Sequence, residues 1–313
     1  MNTSGPSRLR GVLAPVVTPF RGNLDVDTEA FIAHCRWLVN SGAGLAIFGT
    51  NSEANSLSIG ERIELTDALI RAGVPASSMM PGTGTSSIPD TVQLTRHAVN
   101  AGAAGILMLP PFFYKNLSEE GLFAYYSEVI ERVGDSRLSL YLYHIPALSG
   151  VPITLGLIER LLKRYPDTLA GVKDSSGDWS NTKAMIDQFA PLGVDIFPAS
   201  EAFLSAALPI GAAGCISATA NVNPACIAQL CARWNDADGA ALQEQATTVR
   251  TIFQALPMIA AMKYTLAHWH NDADWRTVRP PLTALDEATG RKLIDDLKAI
   301  GFDMPGVRAK ENA

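Results

Sequence analysis

The feature that most constrains the fold is an alternation of short apolar runs with amphipathic stretches over the first 224 residues. The apolar runs are continuous rather than alternately apolar and polar, which is typical of parallel strands covered on both faces. Eight such runs predict eight strands, at residues 12–17, 44–48, 79–82, 105–109, 138–143, 169–173, 194–199 and 214–217.

The stretches between these runs carry apolar residues at helical spacing. In residues 27–40, for example, Phe31, Cys35 and Leu38 fall on one side of a helix. The same spacing predicts helices at residues 59–72, 117–132, 155–165, 180–189 and 201–209. Eight strand–helix alternations predict an α/β fold, a (β/α)8 TIM barrel. A doubly wound sheet is the alternative, although no GxGxxG motif follows the first strand.

After Pro224 the pattern changes and predicts helices alone. These helices fall at residues 225–233, 239–256, 257–268 and 286–300. We therefore expect a barrel catalytic domain over residues 1–224 and a small C-terminal helical region over residues 225–313. The tail from residue 305 is expected to fray.

Composition and charge exclude several classes of partner. The 313 residues carry a net charge of −6, whereas nucleic-acid binding calls for a basic face. No run approaches the roughly 18 apolar residues that span a bilayer, and no signal peptide is recognisable. The four cysteines form no CxxC pair, so no metal site is expected. These features predict a cytoplasmic protein without nucleic-acid, membrane or metal partners.

Lys173 is the first candidate for chemistry, because it ends an apolar run in the string LAGVKDSSG. Active sites of (β/α)8 barrels lie at the carboxyl ends of the strands. A desolvated lysine loses its proton more easily, and the neutral amine is a nucleophile that can form a Schiff base. The alternative is a structural lysine paired with a carboxylate such as Glu53 or Asp174.

Two more groups fall at predicted strand ends. The hydroxyl of Tyr143 could relay protons to a lysine, or the side chain could simply be packed and capped. His144 should point the opposite way and is interpreted as structural. Thr50 and Asn51 present donors suited to a carboxylate or phosphate, although an ordinary turn before a helix capped by Ser58 is the alternative.

Taken in order, these motifs resemble the dihydrodipicolinate synthase and N-acetylneuraminate lyase superfamily of pyruvate-dependent class I aldolases. The resemblance implies that Lys173 forms the Schiff base, that Tyr143 relays protons, and that Thr50 and Asn51 hold the pyruvate carboxylate. It also implies a homotetramer of barrels that needs no metal or organic cofactor. The matching segments are residues 18–20, 49–53, 82–84, 110–115, 143–150, 171–177 and 214–221.

The chain departs from the family's pattern where the second substrate binds. Synthases carry an arginine two residues after the YxxP proline, and Leu148 stands there, which cannot pair with a carboxylate. Phe113 replaces a tyrosine that synthases take from a neighbouring subunit, and the adjacent Tyr114 is the alternative source of that hydroxyl. Of the acidic pair that holds sugar hydroxyls in sialic acid lyases, Glu201 alone matches, and Ala218 replaces a serine.

The resemblance therefore implies a Schiff-base lyase acting on pyruvate or another 2-oxo acid. The second substrate is expected to be an aldehyde or sugar acid with fewer charges than the aldehyde substrate of the synthases. Lys173 and Tyr143 are the predicted catalytic residues. The predicted substrate-binding residues are Thr50, Asn51, Phe113, Leu148, Glu201 and Ile216, the last packing near the imine. One alternative is 4-hydroxy-tetrahydrodipicolinate synthase. Another is a barrel that binds a 2-oxo acid without catalysis.

Overall fold

Short parallel strands form the wall of a central barrel in the computed structural model, which describes residues 8–307. Their hydrogen-bonded order is β2-β1-β7 in one group and β3-β4-β5-β6 in the other. The strands are β1 Gly11–Ala14, β2 Gly44–Leu45, β3 Ile106–Met108, β4 Leu140–His144, β5 Leu169–Asp174, β6 Asp195–Pro198 and β7 Gly214–Ile216.

Two seams join these groups into a closed ring. At one seam, the third predicted strand, residues 79–82, is present only as two parallel bridges, from Met79 to β2 and from Gly82 to β3. At the other, the N–H of Ala213 donates to the carbonyl of Ile196 on β6 at 3.0 Å. All eight predicted segments therefore take part in the barrel, as the sequence pattern predicts.

Helices cover the outside of this wall and continue beyond it. They are α1 Thr28–Asn40, α2 Ile59–Arg71, α3 Ile88–Asn100, α4 Glu119–Val133, α5 Pro146–Ser149, α6 Leu155–Arg164, α7 Trp179–Phe189, α8 Leu204–Ala207, α9 Pro224–Arg233, α10 Gly239–Gln254, α11 Met258–His270 and α12 Glu287–Ala299.

Two helices differ from the prediction. Helix α3 was not predicted, although Ser87 caps its first turn and Pro89 lies within that turn, both of which are typical helix starts. The predicted helix at residues 201–209 consists of α8 between two 3-10 turns. Pro209 has no N–H to donate, so it cannot continue the hydrogen-bond ladder of α8.

The C-terminal helices contribute to two apolar clusters, and α10 contributes to both. Ile227 of α9 belongs to the cluster that includes Val12 of β1, so α9 lies against the barrel. Phe253 of α10 and Leu293 of α12 belong to a second cluster. The domain division after residue 224 stays a prediction.

The predicted frayed tail, residues 305–313, extends beyond the described residues. At its start, the indole Nε1 of Trp37 donates to the carbonyl of Pro305 at 2.9 Å, which attaches this part of the chain to α1.

A tyrosine fills the barrel interior below the open end. Tyr141 on β4 is fully buried, and its hydroxyl donates to Asp195 on β6 at 3.1 Å. Its ring occupies the space of a side chain at Gly171, where an added Cβ would lie 2.4 Å from a ring carbon. This layer closes the barrel and leaves Tyr143, two residues further along the strand, nearer the carboxyl end.

We predict that Gly171→Ala destabilises the protein. The added carbon would lie 2.4 Å from both the Tyr141 ring and the Asp195 carbonyl oxygen, and overpacking of this kind costs about 1–3 kcal/mol. Circular dichroism should show a lower thermal unfolding midpoint than in the wild type. Gly22→Ala is the control, because no atom lies within 4 Å of its added carbon. Equal midpoints for Gly171→Ala and the control would contradict this packing.

Candidate active site

The pairing of β4 with β5 brings the two predicted catalytic side chains together. Tyr143 and Lys173 are partners in the parallel register. The register shifts by one residue just before Tyr141, which leaves Ala170 as an extra residue on β5. Such a bulge re-aims the side chains that follow it, and Lys173 points to the same cavity as Tyr143.

Lys173 is buried without a carboxylate partner. It is 2% exposed, and its Nζ lies 4.1 Å from the centre of the Tyr143 ring. Neither predicted alternative partner pairs with it: Glu53 binds Lys263, and Asp174 accepts hydrogen bonds from the loop after β5 and from α7. The ion pairs found in residues 8–307 do not include Lys173. The amine is therefore held by an aromatic neighbour rather than neutralised by an acid.

The hydroxyl of Tyr143 lies 3.1 Å from the Oγ1 of Thr50. Burial alone would raise the pKa of Tyr143. The positive charge of Lys173, together with the hydrogen bond to Thr50, outweighs burial and lowers that pKa below its ordinary value. A phenol with a lowered pKa exchanges its proton more readily with a neighbouring amine or oxygen.

The loop after β2 is anchored from the C-terminal helices. A 3-10 turn at Thr50–Ser52 ends at Glu53, whose backbone is left-handed with φ 54°. The Glu53 carboxylate accepts hydrogen bonds from Lys263 of α11 at 2.5 Å and from the N–H of Arg279 at 3.0 Å. Burial lowers the pKa of Lys263 to about 8, although the charge of Glu53 opposes this. A buried ion pair thus positions the predicted carboxylate-binding loop.

A cavity of about 230 Å³ lies at this end of the barrel. Its volume is below the roughly 300–1,000 Å³ of pockets for drug-sized ligands, so it suits a small metabolite. Six of the eight predicted site residues line it: Thr50, Asn51, Tyr143, Leu148, Lys173 and Ile216. The structure therefore brings together the predicted nucleophile, proton relay and carboxylate-binding loop.

Two predicted site residues do not line this cavity. Phe113 is 74% exposed, on the loop after β3. Glu201 is fully buried, and its carboxylate accepts the hydroxyls of Ser217 and Thr219. His144, interpreted as structural, accepts the N–H of Ile153 at its Nδ1, 2.9 Å away.

Sequence reasoning missed several residues of the cavity wall. Ser175 follows the Lys173-Asp174 pair directly, so the strand end could have indicated it. Phe203, Arg250 and Met258 also line the cavity. These three carry no recognisable motif, and only the packing of the chain after β6 brings them to the site.

Residues 8–307 contain no group of three or more histidine, cysteine, aspartate or glutamate side chains that could hold a metal ion. In the same range, no helix has the length and apolar character that crossing a membrane requires.

Comparisons with known proteins agree with this geometry. The sequence pattern of the dihydrodipicolinate synthetase family matches residues 8–300. The chain belongs to this family. A DapA-like lyase of Chloroflexus aurantiacus is 35% identical over 280 residues, which cover 88% of this chain and 92% of that protein.

Solved structures of the dihydrodipicolinate synthetase family share the fold. Dihydrodipicolinate synthase from Agrobacterium tumefaciens superposes with a TM-score of 0.85 at 30% identity, covering 93% of this chain and 99% of that one. The Escherichia coli prophage protein YagE, in complex with pyruvate, gives 0.85 at 26% identity, covering 95% and 100%. The predicted family, barrel fold and general activity, that of a Schiff-base-forming lyase, are confirmed.

The first prediction for the site concerns Tyr143. We expect one phenol to ionise below the ordinary tyrosine pKa of about 10, and Tyr143→Phe to remove this step from a titration of ultraviolet tyrosinate absorbance. Lys173→Met should raise the pKa of Tyr143, because it removes the neighbouring charge. Tyr114→Phe, at an exposed ring, is the control and should leave the step in place. Identical titrations for the wild type and Tyr143→Phe would contradict the arrangement.

The second prediction concerns the ion pair that anchors the loop. Lys263→Met leaves the Glu53 carboxylate buried without its cation, and breaking a buried pair costs about 3–5 kcal/mol. Thermal unfolding should show a large fall in midpoint, and adding Glu53→Gln should restore part of it. Lys298→Met, at an exposed position of α12, is the matched control. If the Lys263→Met and Lys298→Met variants have the same unfolding midpoint, the ion pair does not stabilise the protein and the prediction is wrong.

Proposed function

We propose that Lys173 forms a Schiff base with the keto carbon of pyruvate or of another 2-oxo acid, with Tyr143 as the proton relay. The protein then makes or breaks a carbon–carbon or carbon–oxygen bond near that carbon. One observation carries the proposal: a buried amine without a carboxylate partner lies 4.1 Å from the ring of a tyrosine in the same small cavity. That pair supplies a nucleophile and a group that can move its protons.

The first step joins Nζ of Lys173 to the keto carbon. The neutral amine adds to the carbonyl group, and the carbonyl oxygen takes a proton from Tyr143 to give a carbinolamine. After further proton transfers through Tyr143, this oxygen leaves as water and a protonated C=N bond remains. The protonated imine then accepts the electron pair of the bond that breaks at the neighbouring carbon, which gives an enamine.

The rest of the cavity wall orients this intermediate. Thr50 and Asn51 hold the carboxylate of the 2-oxo acid, on the loop anchored by Glu53, and Ile216 packs near the imine. Leu148 faces the second substrate, an aldehyde or a 2-keto-3-deoxy sugar acid. Phe113 and Glu201 stay predictions as substrate-binding residues.

The second candidate function is 4-hydroxy-tetrahydrodipicolinate synthase. The similarity to the Agrobacterium tumefaciens synthase favours it. Leu148, in contrast, offers no cation to the carboxylate of a synthase aldehyde. Growth of a diaminopimelate auxotroph that expresses this protein would support the synthase. Failure of rescue by an expressed protein that forms the pyruvate imine would reject it.

We further propose a homotetramer that works in the cytoplasm without a metal or organic cofactor. Membership of the family supports the assembly, and the imine itself is the electron sink that a cofactor would otherwise supply. Sedimentation at several protein concentrations tests the tetramer, and a monomer at all concentrations would reject it.

The Schiff base is tested by reduction with borohydride in the presence of pyruvate. Hydride adds to the imine carbon and converts the reversible C=N bond into a stable secondary amine. We predict a single reduced adduct, located on the peptide that contains Lys173 by mass spectrometry. Lys173→Ala should abolish it, whereas Lys183→Ala, at an exposed lysine, should retain it. An adduct absent from the wild type, or present in Lys173→Ala, would overturn the proposal.

The proton relay is tested by the rate of the same reaction. We expect Tyr143→Phe to slow adduct formation by about 10²-fold or more, which is the usual contribution of a positioned acid–base group. Tyr165→Phe, at a phenol outside the cavity that donates to Glu131, is the matched control and should react at the wild-type rate. A wild-type rate in Tyr143→Phe would assign the proton transfers to another group.

A further inference from the structure

The cavity contains a second cation that the proposed chemistry does not use. Arg250 of α10 lines the same cavity as Lys173, although it belongs to a helix outside the barrel wall. The acidic residue of the cavity wall, Asp174, already accepts hydrogen bonds from Ser176 and Thr182. The cavity therefore presents an arginine that is not paired with a carboxylate across the cavity.

A buried polar cluster of Ser217, Glu201 and Thr219 contacts the Arg250 guanidinium. Its Nη1 donates to the Oγ of Ser217 at 3.1 Å and lies 3.6 Å from the Glu201 carboxylate. The second distance exceeds that of a hydrogen bond, and the Glu201 oxygens already accept the hydroxyls of Ser217 and Thr219. Glu201 therefore orients the guanidinium mainly through Ser217 rather than as a bidentate partner.

The guanidinium has donors to spare. It carries five N–H groups, and its Nε is buried without a hydrogen-bond partner among the described residues. The side chain as a whole is 16% exposed. Because Nε is buried, an acceptor that enters the cavity would bind the exposed part of the guanidinium rather than Nε. Carboxylates fit best, because they accept two parallel N–H bonds from one arginine.

Part of the cavity wall is apolar. Phe203, Ala218 and Met258 line the same cavity with apolar surface. A charge pair that forms beside apolar groups is less weakened by water than one at the protein surface. The same surroundings favour an extended ligand whose middle is apolar and whose ends are charged.

We infer that Arg250 binds a second carboxylate at the far end of the substrate, so that the site prefers 2-oxo dicarboxylic acids. The inference rests on the proposed function and deepens it. Lys173 holds the keto carbon, Thr50 and Asn51 hold the first carboxylate, and Arg250 holds the second. The absence of an arginine at Leu148 predicts a less charged substrate, and Arg250 supplies that cation from another element. Glu201 is then a positioning residue.

Borohydride trapping on the full protein tests this with matched pairs of 2-oxo acids. In each pair the chain length is equal and only the far end differs: 2-oxoglutarate against 2-oxopentanoate, and 2-oxoadipate against 2-oxohexanoate. Mass spectrometry gives the concentration at which half of the protein is trapped, and pyruvate is the reference. We expect at least one diacid to trap at a lower concentration than its uncharged counterpart.

Arg250→Met should raise the half-trapping concentration of the preferred diacid by about tenfold or more, in line with the loss of a charge-assisted hydrogen bond. The value for pyruvate should stay within about twofold, which also shows that the variant is folded. Arg250→Lys keeps the positive charge but loses the planar guanidinium that donates two parallel N–H bonds. This variant should therefore retain part of the preference for the diacid. Arg132→Met, at an exposed arginine of α4, is the matched control.

Two results would overturn the inference alone: no preference for either diacid in the wild type, or a preference that Arg250→Met leaves unchanged while pyruvate is trapped normally. A wild-type protein that traps no 2-oxo acid at all would overturn the proposed function and this inference together. The pyruvate reference therefore separates the two failures.

Discussion

A lysine amine buried at the open end of the barrel is the constraint on which the rest of the site depends. Removing an amine from water is unfavourable unless the protein supplies other partners. Here the partner is the face of the Tyr143 ring, whose centre lies 4.1 Å from Nζ because β4 and β5 pair in parallel register. The layer below must be tightly packed to hold that register, and Tyr141 against Gly171 provides it. Core packing and reactivity are thus properties of the same two strands.

The helices after the barrel complete the site rather than merely extend the chain. Lys263 of α11 binds Glu53 and so fixes the loop that carries Thr50. Arg250 of α10 reaches the cavity itself. In (β/α)8 enzymes the barrel supports the chemistry while the loops set specificity. In this protein, residues from the helices that follow the barrel also contribute to substrate specificity.

Much of the fold and the centre of the site could be predicted from the sequence. Continuous apolar runs allow few structures, and a lysine at the end of one of them is chemically conspicuous. Helix α3 escaped prediction because its buried side includes Thr91 and Thr95, whose hydroxyls find partners inside the protein. The bulge on β5 and the approach of Arg250 escaped it for a different reason. Both depend on how segments far apart in the sequence pack together. The hydrophobic pattern of a single segment does not determine such contacts.

The most direct test of the central claim is a crystal structure of the protein soaked with pyruvate. The account predicts continuous electron density from Nζ of Lys173 to the keto carbon. It also predicts the pyruvate carboxylate against Thr50 and Asn51, and the hydroxyl of Tyr143 beside the new bond. Pyruvate bound without a covalent link, or linked to another lysine, would contradict the account.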